Sequence, residues 1–269
     1  MSDALTPLQG GVEGRGVGGS RTACRVVRLL EVLSGASSPL RLSELARQLD
    51  VPVSSTQVLL KELMRCGAVA MTDQREYVRG PRLVALGARV VASLDVVRLA
   101  ERRMVELASE MHEYVYLALP VPEGIMYVSR VGTSSHNLRV EIPLGVARPL
   151  HATAAGQVYL AYGSPDAVER AISRAPLSAE TPHTITDVSA LRARIQLVHT
   201  RGYAVTEEES IEGVVGLSAP VRTAGGALAG ALTISFFRGR SEFGQEVVVR
   251  RLVDAACDVS RALGWSGNA

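Results

Sequence analysis

The chain has 269 residues, 47% of them hydrophobic, enough to fill the cores of one or two domains. With 29 basic against 27 acidic residues the formal net charge is +2, which excludes a surface coated in cations. No apolar run approaches the ~20 residues of a membrane span, no apolar segment follows a basic start as in a secretory leader, and Cys24, Cys66 and Cys257 stand far apart. These features predict a cytoplasmic protein with reduced thiols and no membrane partner.

Met1 to Ser20 contains GGVEGRGVGGS and little to pack, so it reads as a flexible tail; the glycines follow no strand, which removes a dinucleotide-binding reading. Arg21 to Leu33 is amphipathic, with Val26, Val27, Leu29, Leu30 and Leu33 for one face. In RLSELARQLDVPVSSTQVLLKELMRCG, Arg41 to Gly67, Ser43 is an N-cap candidate for a first helix that Asp50-Val-Pro52 breaks. A second helix starts among Val53, Ser54 and Ser55, buries Thr56, Leu59, Leu60 and Leu63, and stops at Gly67. Two short helices around a tight turn outline a helix-turn-helix, although a hairpin from any small helical bundle shares that outline. AVAMTDQREYVRG then reads as a β-hairpin directly behind the second helix, the wing of a winged DNA-binding domain over residues 21–80. Arg75 at its tip and Arg79 at its base are placed for the DNA backbone, and from Arg21 to Arg82 ten basic residues face six acidic ones.

Pro81 opens a helical stretch over residues 81–113, a linker that Gly87 and Ser93-Leu94-Asp95 divide into two helices, with more apolar positions than one face needs. From Tyr114 the pattern becomes β-rich: YVYLALP, GIMYVSRVG and, as a third strand, LRVEIPLG (Leu138 to Gly145). Helical stretches follow, one of them capped at Thr186 or Asp187 and ending at Gly202; then three strands through YAVTEEE, GVVGLSAPV and ALAGALTISFF, and a last helix capped by Ser241. This order describes an antiparallel sheet with helices segregated from it, an α+β domain over residues 114–264, with 265–269 as a tail.

His112, His136, His151, His183 and His199 sit at unrelated spacings, so no metal site is expected. Glu207, Glu208 and Glu209 are consecutive at a strand end and point alternately to opposite faces, unlike a pair of catalytic carboxylates. No nucleophile elbow, phosphate-binding loop or zinc-protease motif is present, and neither an enzyme nor a cofactor is predicted. Arg148-Pro-Leu-His-Ala-Thr-Ala-Ala-Gly156 is more suggestive. Small residues from Ala152 to Gly156 opening a helix leave backbone N–H groups accessible to an anion, and they equally suit close packing of helix on sheet.

The motifs RPLHATAAGQVYLA (Arg148 to Ala161), GYAVTEEESIEGVVGLSAPV (Gly202 to Val221) and GALTISFF (Gly230 to Phe237), behind LSELARQLDVPVSST, resemble the IclR family of bacterial transcriptional regulators. The resemblance implies a winged helix-turn-helix, a helical linker and a C-terminal α+β domain that binds a small effector, in dimers or tetramers on double-stranded operator DNA. It places Ala154, Ala155, Thr206, Gly216, Thr233 and Ser235 around the effector, with Gly156 closing the helix start. Where relatives carry a lysine and an arginine in the second helix this chain has Val53 and Val58, so its groove-facing set is Ser54, Ser55, Gln57, Val58 and Lys61. Arg65 shares that side; Arg41, Lys61 and Arg75 are assigned to phosphates. Thr206 and Gly216 replace a pocket aspartate and cysteine of many relatives, implying a roomier, neutral cavity with hydroxyl donors. Its ligand would be larger than a two- or three-carbon acid and carry a carbonyl or carboxylate oxygen. The alternative is a constitutive DNA-binding regulator whose second domain only oligomerises.

Overall fold

The computed structural model describes residues 18–122, 124–132, 140–173, 177–239 and 241–267, which form two compact units, one ending at Ser93 and the other beginning at Leu94. The glycine-rich start as far as Val17, His136 and the first two residues of the Leu138–Gly145 stretch lie outside the described residues.

In the first unit, helices α1 (Gly18–Gly35), α2 (Leu42–Leu49) and α3 (Val53–Arg65) enclose Leu29, Leu33, Leu45, Leu49, Val51 and Leu60. α1 opens at Gly18, inside the stretch read as a tail. Val27, expected on its inner face, is exposed, because the buried stripe runs through Leu29 and Leu33 with Val26 and Leu30 at its margins, and position 27 falls outside it. Ser43 does not cap α2; it lies within the helix. The cap is Arg41, whose backbone N–H donates to Glu44 Oε2 at 2.7 Å, so the fixing group reaches back from three residues downstream.

Asp50, at φ +53°, turns the chain out of α2. The buried Thr56 stays satisfied by donating its hydroxyl to Pro52 O at 3.2 Å. α3 ends in a Schellman turn: Ala68 N–H reaches Leu63 O at 2.9 Å while Gly67 takes φ +75°, a backbone state that side-chain-bearing residues adopt at a cost. Strands β1 (Val69–Met71) and β2 (Tyr77–Arg79) form the expected hairpin, and Leu40 bridges onto Tyr77 beside it. α4 (Pro81–Ala92) runs unbroken through Gly87, since one glycine costs a helix only ~1 kcal/mol. The break comes at Ser93, and the stretch read as a linker is divided between the two units.

The second unit begins with α5 (Asp95–Met111) and continues through β3 (Val115–Val121), β4 (Gly124–Val131), β5 (Ala147–Arg148), α6 (Ala154–Tyr162), α7 (Pro165–Ile172), α8 (Val188–Arg201), β6 (Ala204–Glu207), β7 (Val214–Arg222), β8 (Leu228–Phe237) and α9 (Gln245–Ala262). The third strand is not in LRVEIPLG, whose described residues 140–145 form none; it is the two-residue β5 just beyond. Ser241 does not cap the last helix either: α9 starts at Gln245 behind Gly244.

All neighbours in the six-stranded sheet are antiparallel, in the order β5-β4-β3-β8-β7-β6. Alternate residues of each strand serve different layers. Val115, Leu117, Leu217, Ala219, Leu232 and Ile234 meet α5 and α9 through Met104, Leu107, Leu252 and Val259. Tyr116, Ala118, Val214 and Ala231 face α6 through Ala154, Ala155 and Val158. With helices on both faces, the central strands read as near-continuous apolar runs. β5 and β6 are opposite edges of this sheet, yet the end of one meets the loop after the other: Arg148 Nη2 donates to Ser210 Oγ at 2.6 Å. The sheet is therefore curled, and its concave side is plugged by α6.

Candidate functional site

Two surfaces deserve a chemical reading, one in each unit. On the first, α3 buries Thr56 and Leu60 and turns the opposite side outward. Ser54, Ser55, Gln57, Val58, Lys61 and Arg65 are all exposed, Val58 at 63%. An apolar side chain that far out has no packing role within its own unit. Arg65 is occupied by Glu62 at 2.8 Å. Arg41 is exposed but donates through Nε to Glu76 Oε1 of the wing at 3.2 Å, and Arg79 spans to Ser34 O at 3.4 Å. Arg75, at φ +59°, projects from the wing turn. Of the four arginines assigned to DNA, three hold local partners and Arg75 has no side-chain hydrogen bond or ion pair among the described residues.

The second surface is a half-open cavity on the concave side of the sheet, with about 420 Å³ of empty space when the open solvent at its mouth is included. Of the residues assigned to the effector, Ala154, Thr206, Gly216, Thr233 and Ser235 line it. Register explains the grouping: Thr206 pairs with Gly216, and Gly216 with Ser235, across three adjacent strands. Ala155 and Gly156 do not line it. Ala155 is fully buried in the core, and a Cβ on Gly156 would stand 2.3 Å from Leu150 O, so the packing reading of this helix start holds for these two. Thr153, whose side chain accepts from Gly156 N–H at 3.1 Å, is the N-cap of α6 and also lines the cavity.

The remaining walls are Tyr127, Val140, Ile142, Arg148, Ser210, Ile211 and Val214. Tyr116 fixes one of them: its hydroxyl donates to Val140 O at 2.9 Å and accepts from Ile142 N–H at 3.1 Å. Burial pushes the Tyr127 phenol up to about 12, against a hydrogen bond with Thr233 and the charge of Arg148 that both pull it down. Ser218 Oγ donates to Leu232 O and lies 3.0 Å from Thr233 Oγ1. With the Ser218 proton thus used, Thr233 donates to Ser218. Thr233 is consequently spent within the wall. Thr206 donates weakly to Gly216 O at 3.5 Å, while Ser235 donates to no described residue.

The expectation of a neutral cavity is corrected by Arg148, which the helix-start motif contained but which was not assigned to the effector. Nor is the Glu207–Glu209 run uniformly a surface feature. Glu209 is buried, its carboxylate held by Arg194 Nη1 at 2.7 Å and Gln157 Nε2 at 2.8 Å. Glu208 pairs with Arg238 at 2.6 Å, which with the Gly213 N–H holds its carboxyl below the usual range. Neither acid is left to face a ligand. Among the described residues no group of three or more His, Cys, Asp or Glu converges as a metal site would need, and no helix is long and apolar enough to cross a membrane.

Residues 22–72 match the family described as IclR helix-turn-helix domain, and residues 88–261 that described as bacterial transcriptional regulator IclR C-terminal. The HTH-type transcriptional regulator KdgR of Dickeya chrysanthemi is 30% identical over 243 residues, 90% of this chain and 79% of that protein. Among solved structures, an IclR transcriptional regulator from Alicyclobacillus acidocaldarius superposes with a TM-score of 0.81 at 25% identity, covering 94% of this chain and 100% of the other. An IclR homolog from Microbacterium hydrocarbonoxydans, complexed with 4-hydroxybenzoate, gives 0.80 at 24% identity over 90% and 98%.

Proposed function

Because this chain belongs to the IclR family of DNA-binding transcription regulators, we propose that α3 reads operator bases in the major groove, that the β1–β2 wing meets the phosphate backbone, and that a small acid or carbonyl compound in the cavity of the second unit changes operator affinity. The reading is not enzymatic. The observation that carries the DNA half is the exposed Ser54–Ser55–Gln57–Val58–Lys61 face of α3, polar except for Val58. On the effector side, the support is a cavity on the concave side of the sheet whose one charged lining residue, among the described residues, is an arginine. An effector acts only through unequal affinity for two states of the protein, because equal affinity shifts nothing. The test is operator binding titrated with metabolite acids, 4-hydroxybenzoate included because the Microbacterium relative holds it. A response to none of them favours a constitutive regulator whose second unit only oligomerises.

Assembly as a homo-oligomer on a roughly palindromic operator belongs to the same reading. On α4, Leu86 and Val90 are exposed at i+3 and i+7 from the half-buried Leu83, an apolar stripe suited to a second copy.

Arg75→Ala is expected to weaken DNA binding across sequences and to lower the slope of log affinity against log salt by ~0.9, the share of one phosphate contact. An unchanged slope would show that the wing stays off the DNA. Val58→Arg is expected to alter the preferred base at one position per half-site, since a small apolar group suits a thymine methyl and arginine suits guanine. Selection from a randomised operator pool reads this out; a variant that binds more tightly to the same motif would remove Val58 from the base edges.

A further inference from the structure

Resting on the reading of the cavity as an effector site, we infer that Arg148 and Ser210 together form a clamp for a carboxylate, so that the effector lies with its acid end at the meeting of the two sheet edges and its other polar end toward Ser235. A guanidinium carries five N–H donors and no acceptor. Arg148 is half-buried, uses one donor on Ser210 Oγ, and among the described residues has no carboxylate within ion-pair distance. Ser210 accepts that bond, so its own hydroxyl proton points elsewhere, and no described residue accepts it. The remaining guanidinium N–H groups and the Ser210 O–H are thus donors in one corner of the cavity without an acceptor among the described residues, the complement of a carboxylate's lone pairs.

The corner is also rigid, which keeps the ordering cost of binding low. Thr181 and Thr184 hydroxyls donate to the carbonyls of Glu208 and Glu209 at 2.6 Å each, and Glu209 is tied inward by Arg194 and Gln157. The loop therefore presents Ser210 from a fixed base. Glu209 pairs with Arg194 and Glu208 with Arg238, so neither of these carboxylates is left to pair with Arg148. Ile142, Ile211 and Val214 give the same cavity apolar wall. The ligand class is accordingly a hydroxy- or oxo-carboxylate with an apolar body.

The experiment is isothermal titration of the full-length protein with hexanoate, benzoate and their hydroxylated derivatives, each beside its primary amide. Carboxylates are expected to bind at least about tenfold more tightly than their amides, the worth of one charge-assisted hydrogen bond. Ser210→Ala should reduce carboxylate affinity about tenfold without weakening the amides, and Ser210→Thr should restore it. Arg148→Met should abolish the preference, and adding Ser210→Ala to it should cost little more, because the hydroxyl acts with the guanidinium. If none of the panel binds, or amides bind as well as acids, the cavity is not an acid site, and both this inference and the acid-effector reading fall. If acids are preferred and Ser210→Ala keeps the preference, with melting temperature unchanged, the clamp alone is wrong.

Discussion

Gly216→Leu yields a regulator that still binds operator DNA and no longer answers to its effector. Gly216 sits on β7 between Thr206 and Ser235, on the concave face of the sheet. A Cβ built there stands 2.7 Å from Thr206 Oγ1, 3.6 Å from Ala154 Cβ and 3.9 Å from Ser235 Oγ, all of them cavity-lining residues. The backbone is ordinary strand, absent from the positive-φ glycines, so conformational freedom is not what the position requires. Space is what it requires. Thr206 must rotate, and the leucine body then occupies the ligand's volume, at a stability cost of about 1–3 kcal/mol for overpacking. Thermal unfolding and operator binding with and without effector decide the matter. A stable variant that responds normally removes Gly216 from the site, and one that unfolds assigns the glycine to packing.

Removing the guanidinium from Arg194 carries a comparable penalty through a different cause. Glu209 is 4% exposed, and Arg194→Met leaves its carboxylate buried with only Gln157 as a donor. Breaking a buried pair from one side costs about 3–5 kcal/mol, and the partial exposure of Arg194 places the expected loss near the lower figure. Combining Arg194→Met with Glu209→Gln removes the stranded charge and is expected to recover most of it. Urea unfolding of the single and double variants measures this directly. A loss below about 1 kcal/mol for Arg194→Met would mean that Glu209 swings out to water.

The helix-turn-helix was legible because its information is local. Leu45, Leu49, Thr56 and Leu60 recur at helical spacing, Pro52 breaks the run and Gly67 ends it, and each does in the structure what its chemistry dictates. Caps were less legible: Ser43 and Ser241 are competent cap residues, but Arg41 with Glu44, and Gly244, took the role. Cavity residues on adjacent strands came through family resemblance. What escaped is what topology alone brings together. Arg148 and Ser210 are 62 positions apart, and Glu209 lies 52 from Gln157. Nothing in the neighbourhood of Glu209 marks it as buried while Glu207 beside it is exposed.

A six-stranded strip bent until its ends touch behaves mechanically as a ring with one clasp. The hydrogen-bonded ladders resist stretching within the strip, and among the described residues the Arg148–Ser210 contact joins its two edges at the opening. That contact links β5 to the loop after β6, and these two are the shortest strands of the sheet. The convex side of that strip is the seat of α5, the helix with which the second unit begins.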